Sequence, residues 1–198
     1  MIRFIGDIHS LKKNHEKMVL RDGNATIQVG DFGWGFPGMK QANHYKIPEN
    51  NFFIRGNHDS PSVCKHHPAY LGDFGCKTID NKRVFFVSGA HSIDIWARRE
   101  GVDWWADEEL SYSQMTTAFD RYMIEKPDYV VSHDCPNMIA EQLTEYHERT
   151  ATSNLLTAMF EAWKPKYWIF GHYHTDAHFV QDSTEFFCVK NQNFLDIA

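Results

Sequence analysis

The chain has 198 residues, 42% of them hydrophobic and 15% aromatic, which is enough apolar material for a sizeable core, and the length fits one domain over residues 1–198 better than two. Its formal net charge of −6, with lysine and arginine scattered, argues against the basic stripe of an extended nucleic-acid surface. No run approaches the roughly 18 apolar residues of a membrane helix, no secretory pattern opens the chain, and Cys64, Cys76, Cys135 and Cys188 form no Cys-x-x-Cys, so the expectation is a cytoplasmic protein with reduced thiols and no membrane partner.

Ile2-Arg3-Phe4-Ile5 reads as a first strand, broken by Gly6, Asp7 and His9, with Ser10 the expected N-cap of a helix to about Leu20. Asp22-Gly23-Asn24 is a turn. Residues 25–29 read as a second strand, closed by Gly30-Asp31 and a glycine-rich loop from Phe32 to Gly38. The third strand, 51–54, runs into Arg55-Gly56-Asn57-His58-Asp59. Residues 78–87 predict a hairpin around Asp80-Asn81. An insertion from about 89 to 110 follows, carrying His91, Arg98, Arg99 and three tryptophans. Its composition suits a pocket wall, with guanidinium groups for phosphate and indoles for stacking. A packed surface loop accounts for the same residues equally well.

Ser111 with Gln114 forms a capping box, and Met115, Phe119, Tyr122 and Met123 hold helical spacing as far as Lys126-Pro127. Tyr129-Val130-Val131 is a strand ending in Ser132-His133-Asp134, and Pro136 opens a short helix. Leu155, Leu156, Met159, Phe160 and Trp163 share one face of a further helix that Pro165 stops. Tyr167-Trp168-Ile169-Phe170 is a strand ending in Gly171-His172-Tyr173-His174, and the tail from His178 to Ile197 reads as two or three antiparallel strands.

Five clusters thus follow apolar runs: Asp7 with His9, Asp31, Asn57 with His58, His133, and His172 with His174. In α/β folds ligands bind beyond the carboxyl ends of the strands, so these clusters are expected to converge. Two carboxylates, an amide oxygen and four imidazoles without a thiolate suit Mn²⁺ first, with Fe or Zn²⁺ as alternatives. Seven ligands are too many for one ion that must also hold water and substrate, so two divalent ions are expected, and two carboxylates leave such a pocket cationic enough for a phosphoester.

Asp-x-His, Gly-Asp, Gly-Asn-His-Asp, a lone histidine after a strand and Gly-His-x-His, in that order from Asp7 to His174, resemble the calcineurin-like metallophosphoesterase superfamily. The resemblance implies an α/β fold, a four-layer α/β/β/α sandwich with the metal site at the C-terminal ends of the strands. It implies that Asp7, His9 and His174 hold one metal, that Asp31 bridges, and that Asn57, His133 and His172 hold the other. His58 is then the catalytic histidine, aimed at the leaving-group or a phosphate oxygen, with Asp59 orienting it and favouring its charged form. The implied activity is hydrolysis of a phosphoester by in-line attack of a metal-bound hydroxide, by a phosphatase or phosphodiesterase acting on small or protein-borne esters. Two alternatives stand beside it, a nuclease-type phosphodiesterase and a non-catalytic scaffold on the same fold. Protein phosphatases of the superfamily carry a phosphate-gripping arginine after the second motif, and this chain has Phe32-Gly33-Trp34-Gly35 there. Arg55, His91, Arg98 and Arg99 are the candidate substrate contacts.

Overall fold

A computed structural model of the chain describes residues 1–19, 24–37 and 45–198. Among the described residues, ten strands form two sheets: β1 (Ile2–Ile5), β2 (Ala25–Gln28), β3 (Asn51–Phe53), β4 (Phe74–Ile79), β5 (Lys82–Val87), β6 (Tyr129–Ser132), β7 (Tyr167–Phe170), β8 (Ala177–Gln181), β9 (Thr184–Cys188) and β10 (Phe194–Ile197). The first sheet has the order β10-β1-β2-β3 and the second the order β4-β5-β6-β7-β9-β8. In each, a parallel core places successive strand ends on one edge: β1, β2 and β3 in the first, and β5, β6, β7 and β9 in the second.

Period-two alternation makes the layers. Ile2, Phe4, Ile27 and Val29 of the first sheet meet Val84, Phe86, Val131 and Ile169 of the second in a dry core between the sheets. The opposite faces of the same strands bury against helices. Phe85, Val87, Val130, Trp168 and Phe186 pack on α3 (Tyr112–Glu125), α4 (Asn137–Leu143) and α5 (Ala151–Ala162). Ile5 and Phe53 pack with Met18 of α1 (Lys12–Met18) and Cys64 of α2 (Pro61–Cys64). Helices, sheet, sheet and helices therefore follow in that order, the four-layer α/β/β/α sandwich that the motif resemblance implied. None of the helices is long and apolar enough to cross a membrane, among the described residues. All four cysteines are free.

Local signals account for most boundaries. Asp80 and Asn81 both take positive φ, 49° and 60°, the two-residue turn whose twist matches the flanking strands. Ser111 and Gln114 close a reciprocal capping box on α3, and Thr150 with Ser153 does the same for α5. One expectation fails. Ser10 does not cap α1: it has φ 69°, and the helix starts after Leu11 without a side-chain cap. The tail forms three strands in antiparallel pairings, as expected, but divides them between the sheets. β8 and β9 pair with each other, but β10 crosses to the first sheet and runs antiparallel to β1, with Ile2 opposite Ile197. The expected end of the first helix at Leu20, the turn residues Asp22 and Gly23, and Gly38 lie outside the described residues.

Candidate metal centre

Three of the strand ends, those of β1, β2 and β7, deliver their side chains through a sharply bent backbone. His9, Asp31, His172 and His174 have φ between 43° and 68°, a region that non-glycine residues seldom enter. The loops are also tied to one another. Both Ile8 and His9 donate backbone N–H bonds to the Asp31 carbonyl at 2.9 Å, His58 N–H reaches Asp31 Oδ1 at 2.7 Å, and His172 N–H reaches Asp7 Oδ1 at 3.3 Å. Glycines permit this crowding. A Cβ on Gly56 would stand 2.1 Å from Asp31 Oδ1 and 2.5 Å from His133 Nε2.

The side chains converge in two overlapping groups. Asp7, His9, Asp31 and His174 place one donor atom each within 4.8 Å of one another. Asp7 Oδ2 is 3.1 Å from His174 Nε2 and 3.8 Å from His9 Nε2, and His9 and His174 face each other at 2.8 Å. Asp31 joins this group to the next. Its Oδ2 lies 4.0 Å from His9 Nε2, while its Oδ1 lies 3.3 Å from His133 Nε2. Asn57 Oδ1 is also 3.3 Å from His133 Nε2, and the His172 ring meets that of His133 edge-on at 5.0 Å.

This arrangement fits cations. Asp7 is fully buried, and its Oδ2 makes no well-formed hydrogen bond although the His174 and His9 nitrogens stand 3.1 and 3.8 Å away. An orphaned buried carboxylate oxygen is costly unless a positive ligand completes it. Burial opposes both charges of the Asp31–His133 pair, yet their attraction dominates: it pushes His133 up to about 10 and holds Asp31 well below the usual carboxylate range. His133 Nδ1 faces the Val29 carbonyl at 2.8 Å, which turns Nε2 toward the site. The donors are nitrogen and oxygen throughout, as divalent transition metals with open positions prefer.

His58 and Asp59 part company. His58 stacks on Phe36, with ring centroids 5.1 Å apart and planes 2° apart, and its Nε2 lies 2.7 Å from Arg98 Nη2. Burial, followed by the Arg98 charge, lowers its pKa against the pull of Asp31. Asp59 does not orient it. Both Asp59 oxygens turn away and accept backbone N–H bonds from Phe32, Gly33, Trp34 and Gly56 at 2.7–3.2 Å. Burial and the Asp31 charge push this carboxyl up to about 6, while those N–H donors oppose the rise. Asp59 therefore staples the loop after β2 to the loop after β3.

The substrate candidates divide as well. Arg98 and His91 line a cavity of about 590 Å³ that also opens on Asp31, Asn57, His58 and His172. Arg99 is exposed and pairs with Asp103, outside that lining. Arg55 is buried behind the site, bonded to Asp73 and to the Glu108 carbonyl, so it anchors the insertion and does not meet substrate. Trp105 leans edge-on against Phe36, and Trp96 is 86% exposed.

Three contributors escaped the sequence reading. Phe36 backs His58. Asp134, next to His133, takes hydrogen bonds from its neighbour Cys135 N–H at 2.7 Å and from Tyr173 O–H at 2.8 Å, and it faces the cavity. The segment between α4 and α5, including Tyr146 and His147, forms the far wall. Its only signal was position, since nothing in its composition marks chemistry.

A family model described as calcineurin-like phosphoesterase matches residues 1–176. A lariat debranching enzyme from Entamoeba histolytica is 25% identical to the chain, over 91% of this chain and 57% of its own length. Among solved structures, a putative 5′-nucleotidase from Staphylococcus aureus aligns with a TM-score of 0.54 at 16% identity, over 97% of this chain and 48% of its own. GAP50, the inner membrane complex anchor of Plasmodium, aligns at 0.53 and 12%, over 96% of this chain and 71% of its own. At those identities the two structures speak for the fold alone. The chain spans a little over half the length of the debranching enzyme it matches.

Proposed function

The chain belongs to the calcineurin-like phosphoesterase family, and from that premise we propose that it hydrolyses phosphoesters at a pair of divalent cations. Asp7, His9 and His174 hold one cation, Asn57, His133 and His172 hold the other, and Asp31 lies between them. The observation that carries this reading is the orphaned Asp7 Oδ2, buried among imidazole nitrogens at a junction of strand ends. Mn²⁺ is the first choice, with Fe and Zn²⁺ as alternatives for the same nitrogen and oxygen donors. When bound, such a pair supplies acidity to water and charge against the phosphate oxygens.

The remaining chemistry belongs to side chains of this chain. His58 opens on the same cavity as Asp31 and Asn57, and its Nε2 accepts from Arg98 Nη2, so that nitrogen is free to carry a proton to the departing ester oxygen once the guanidinium turns to a phosphate oxygen. Phe36 fixes the ring plane and shields one face from water. Arg98 stands beside that nitrogen and binds a phosphate oxygen, supplying the cation that the loop after Asp31 lacks. Ion pairing to Asp94 at 2.6 Å and a bond to the Asp103 carbonyl at 3.2 Å hold the guanidinium in place.

Among phosphoesters a diester is the favoured substrate, a choice supported by the similarity to a lariat debranching enzyme. The net charge of −6 favours a short ester over a long polyanion, which keeps a nuclease-type role secondary. The chain loaded with Mn²⁺ is expected to cleave bis(p-nitrophenyl) phosphate faster than p-nitrophenyl phosphate, and chelation should abolish both. Release from neither ester, with two cations bound, would leave the scaffold reading standing.

A further inference from the structure

The insertion reaches the site through two buried polar side chains that the chemistry above does not use. Ser92 and Glu108 are 1% and 3% exposed. Glu108 Oε1 accepts the Ser92 backbone N–H at 2.8 Å, and Oε2 accepts the Ser92 hydroxyl at 2.6 Å. Ser92 Oγ in turn receives Asn57 Nδ2 at 3.2 Å. A hydroxyl has one proton. Once Ser92 has given it to Glu108, only its lone pairs remain for Asn57, so the amide must present its NH₂ end to Ser92. The carbonyl end is thereby left 3.3 Å from His133 Nε2, on the side of the cation site. Turned by 180°, the same amide would aim two N–H groups at a cation.

We infer that Ser92 and Glu108 are positioning residues that set the polarity of the Asn57 amide, so that its oxygen, and not its nitrogen, faces the second cation. This rests on the paired-cation reading. The roots of the insertion are built to hold the relay still. Gly89 N–H donates to the Arg55 carbonyl at 2.8 Å, and the Arg55 guanidinium binds the Glu108 carbonyl, so one residue, two positions before Asn57, clamps both ends. At Gly89, φ is +90° and a Cβ would stand 2.2 Å from the Glu108 carbonyl oxygen, so the approach of the two roots depends on the missing side chain. The insertion is in this respect a bracket for a ligand.

Calorimetric titration of metal-stripped protein with Mn²⁺ tests the relay. Wild type should take up two ions per chain. Ser92→Ala should loosen one of them by about 10- to 100-fold and leave the other unchanged, and Ser92→Thr, which keeps the hydroxyl, should restore it. Glu108→Gln should show the same selective loss, because a glutamine amide can donate to Ser92 and free its proton to turn toward Asn57. It also carries the comparison if Ser92→Ala fails to fold. The deciding arm is Asn57→Asp, whose two oxygens are equivalent and have no polarity to set: in that background Ser92→Ala and Glu108→Gln should leave Mn²⁺ affinity unchanged. Equal loosening with and without Asn57→Asp would reduce the pair to packing and overturn the inference, as would tight binding of both ions by Ser92→Ala. Uptake of fewer than two ions by wild type would instead refute the paired-cation reading, and the inference with it.

Discussion

An imidazole stacked face to face on Phe36, with a guanidinium 2.7 Å from Nε2, has its ring plane and its reactive nitrogen both decided by neighbours. Apart from Arg98, itself held by Asp94 and the Asp103 carbonyl, no hydrogen-bond partner of the His58 ring stands among the described residues, so loss of the ring should be felt chiefly in chemistry. His58→Ala is expected to lower turnover by ~10²- to 10⁴-fold with metal content unchanged, measured by steady-state kinetics beside elemental analysis. The next residue predicts the reverse. Asp59→Asn replaces an acceptor of four backbone N–H bonds with a group that has one carbonyl oxygen and two N–H donors of its own. It should destabilise the protein by about 3 kcal/mol or more, read from urea denaturation. A loss of turnover at unchanged stability would return Asp59 to the part of His58's partner. The family resemblance implied cooperation between these neighbours; the backbone turned their side chains to opposite jobs.

At the scale of elements, the strand ends were readable because apolar runs with period two must stop where glycine and polar residues begin. What a run cannot announce is its partner. Phe194–Ile197 was legible as a strand, but its alternation is equally compatible with pairing on β9 or on β1, and packing between the sheets settled it on β1. The failed cap at Ser10 has a related cause. A serine before a helix is a good local signal, yet here the residue is bent to φ 69° because His9 must reach the site, and the helix begins later. Glycine placement yields a test at the same scale. Gly56→Ala should displace Asp31 and His133 and lower Mn²⁺ affinity at least 10-fold, checked by metal content after dialysis. Gly101→Ala is the control: its φ is +75°, unlike that of Gly56, but a Cβ there meets nothing within 4 Å, so it should cost stability on the order of 1 kcal/mol and leave metal binding alone.

Across the whole molecule, the candidate ligands run from Asp7 to His174 and join the ends of β1, β2, β3, β6 and β7, drawn from both sheets. Cations held there tie the two sheets together, so binding should report on global stability. Saturation at 100-fold over Kd should add about 2.7 kcal/mol for each cation bound, roughly 5–10 °C in Tm apiece, and chelator should remove it in a thermal melt. No shift on adding Mn²⁺, Fe or Zn²⁺ would oppose the proposed centre.

The residues alone decided that polar ligand types stand at successive strand ends, because hydrophobic periodicity and glycine punctuation act over a few neighbours and survive without a partner. They also decided the hairpin at Asp80-Asn81 and the capped helix after Ser111, whose hydrogen bonds are local. Tertiary structure alone decided that Arg98 meets His58 while Arg99 stays on the surface, that Arg55 faces away, and that Glu108 reaches Asn57 through Ser92. Those outcomes depend on how the insertion folds back on the sheets. Contacts between residues tens of positions apart are set by packing that no local pattern encodes.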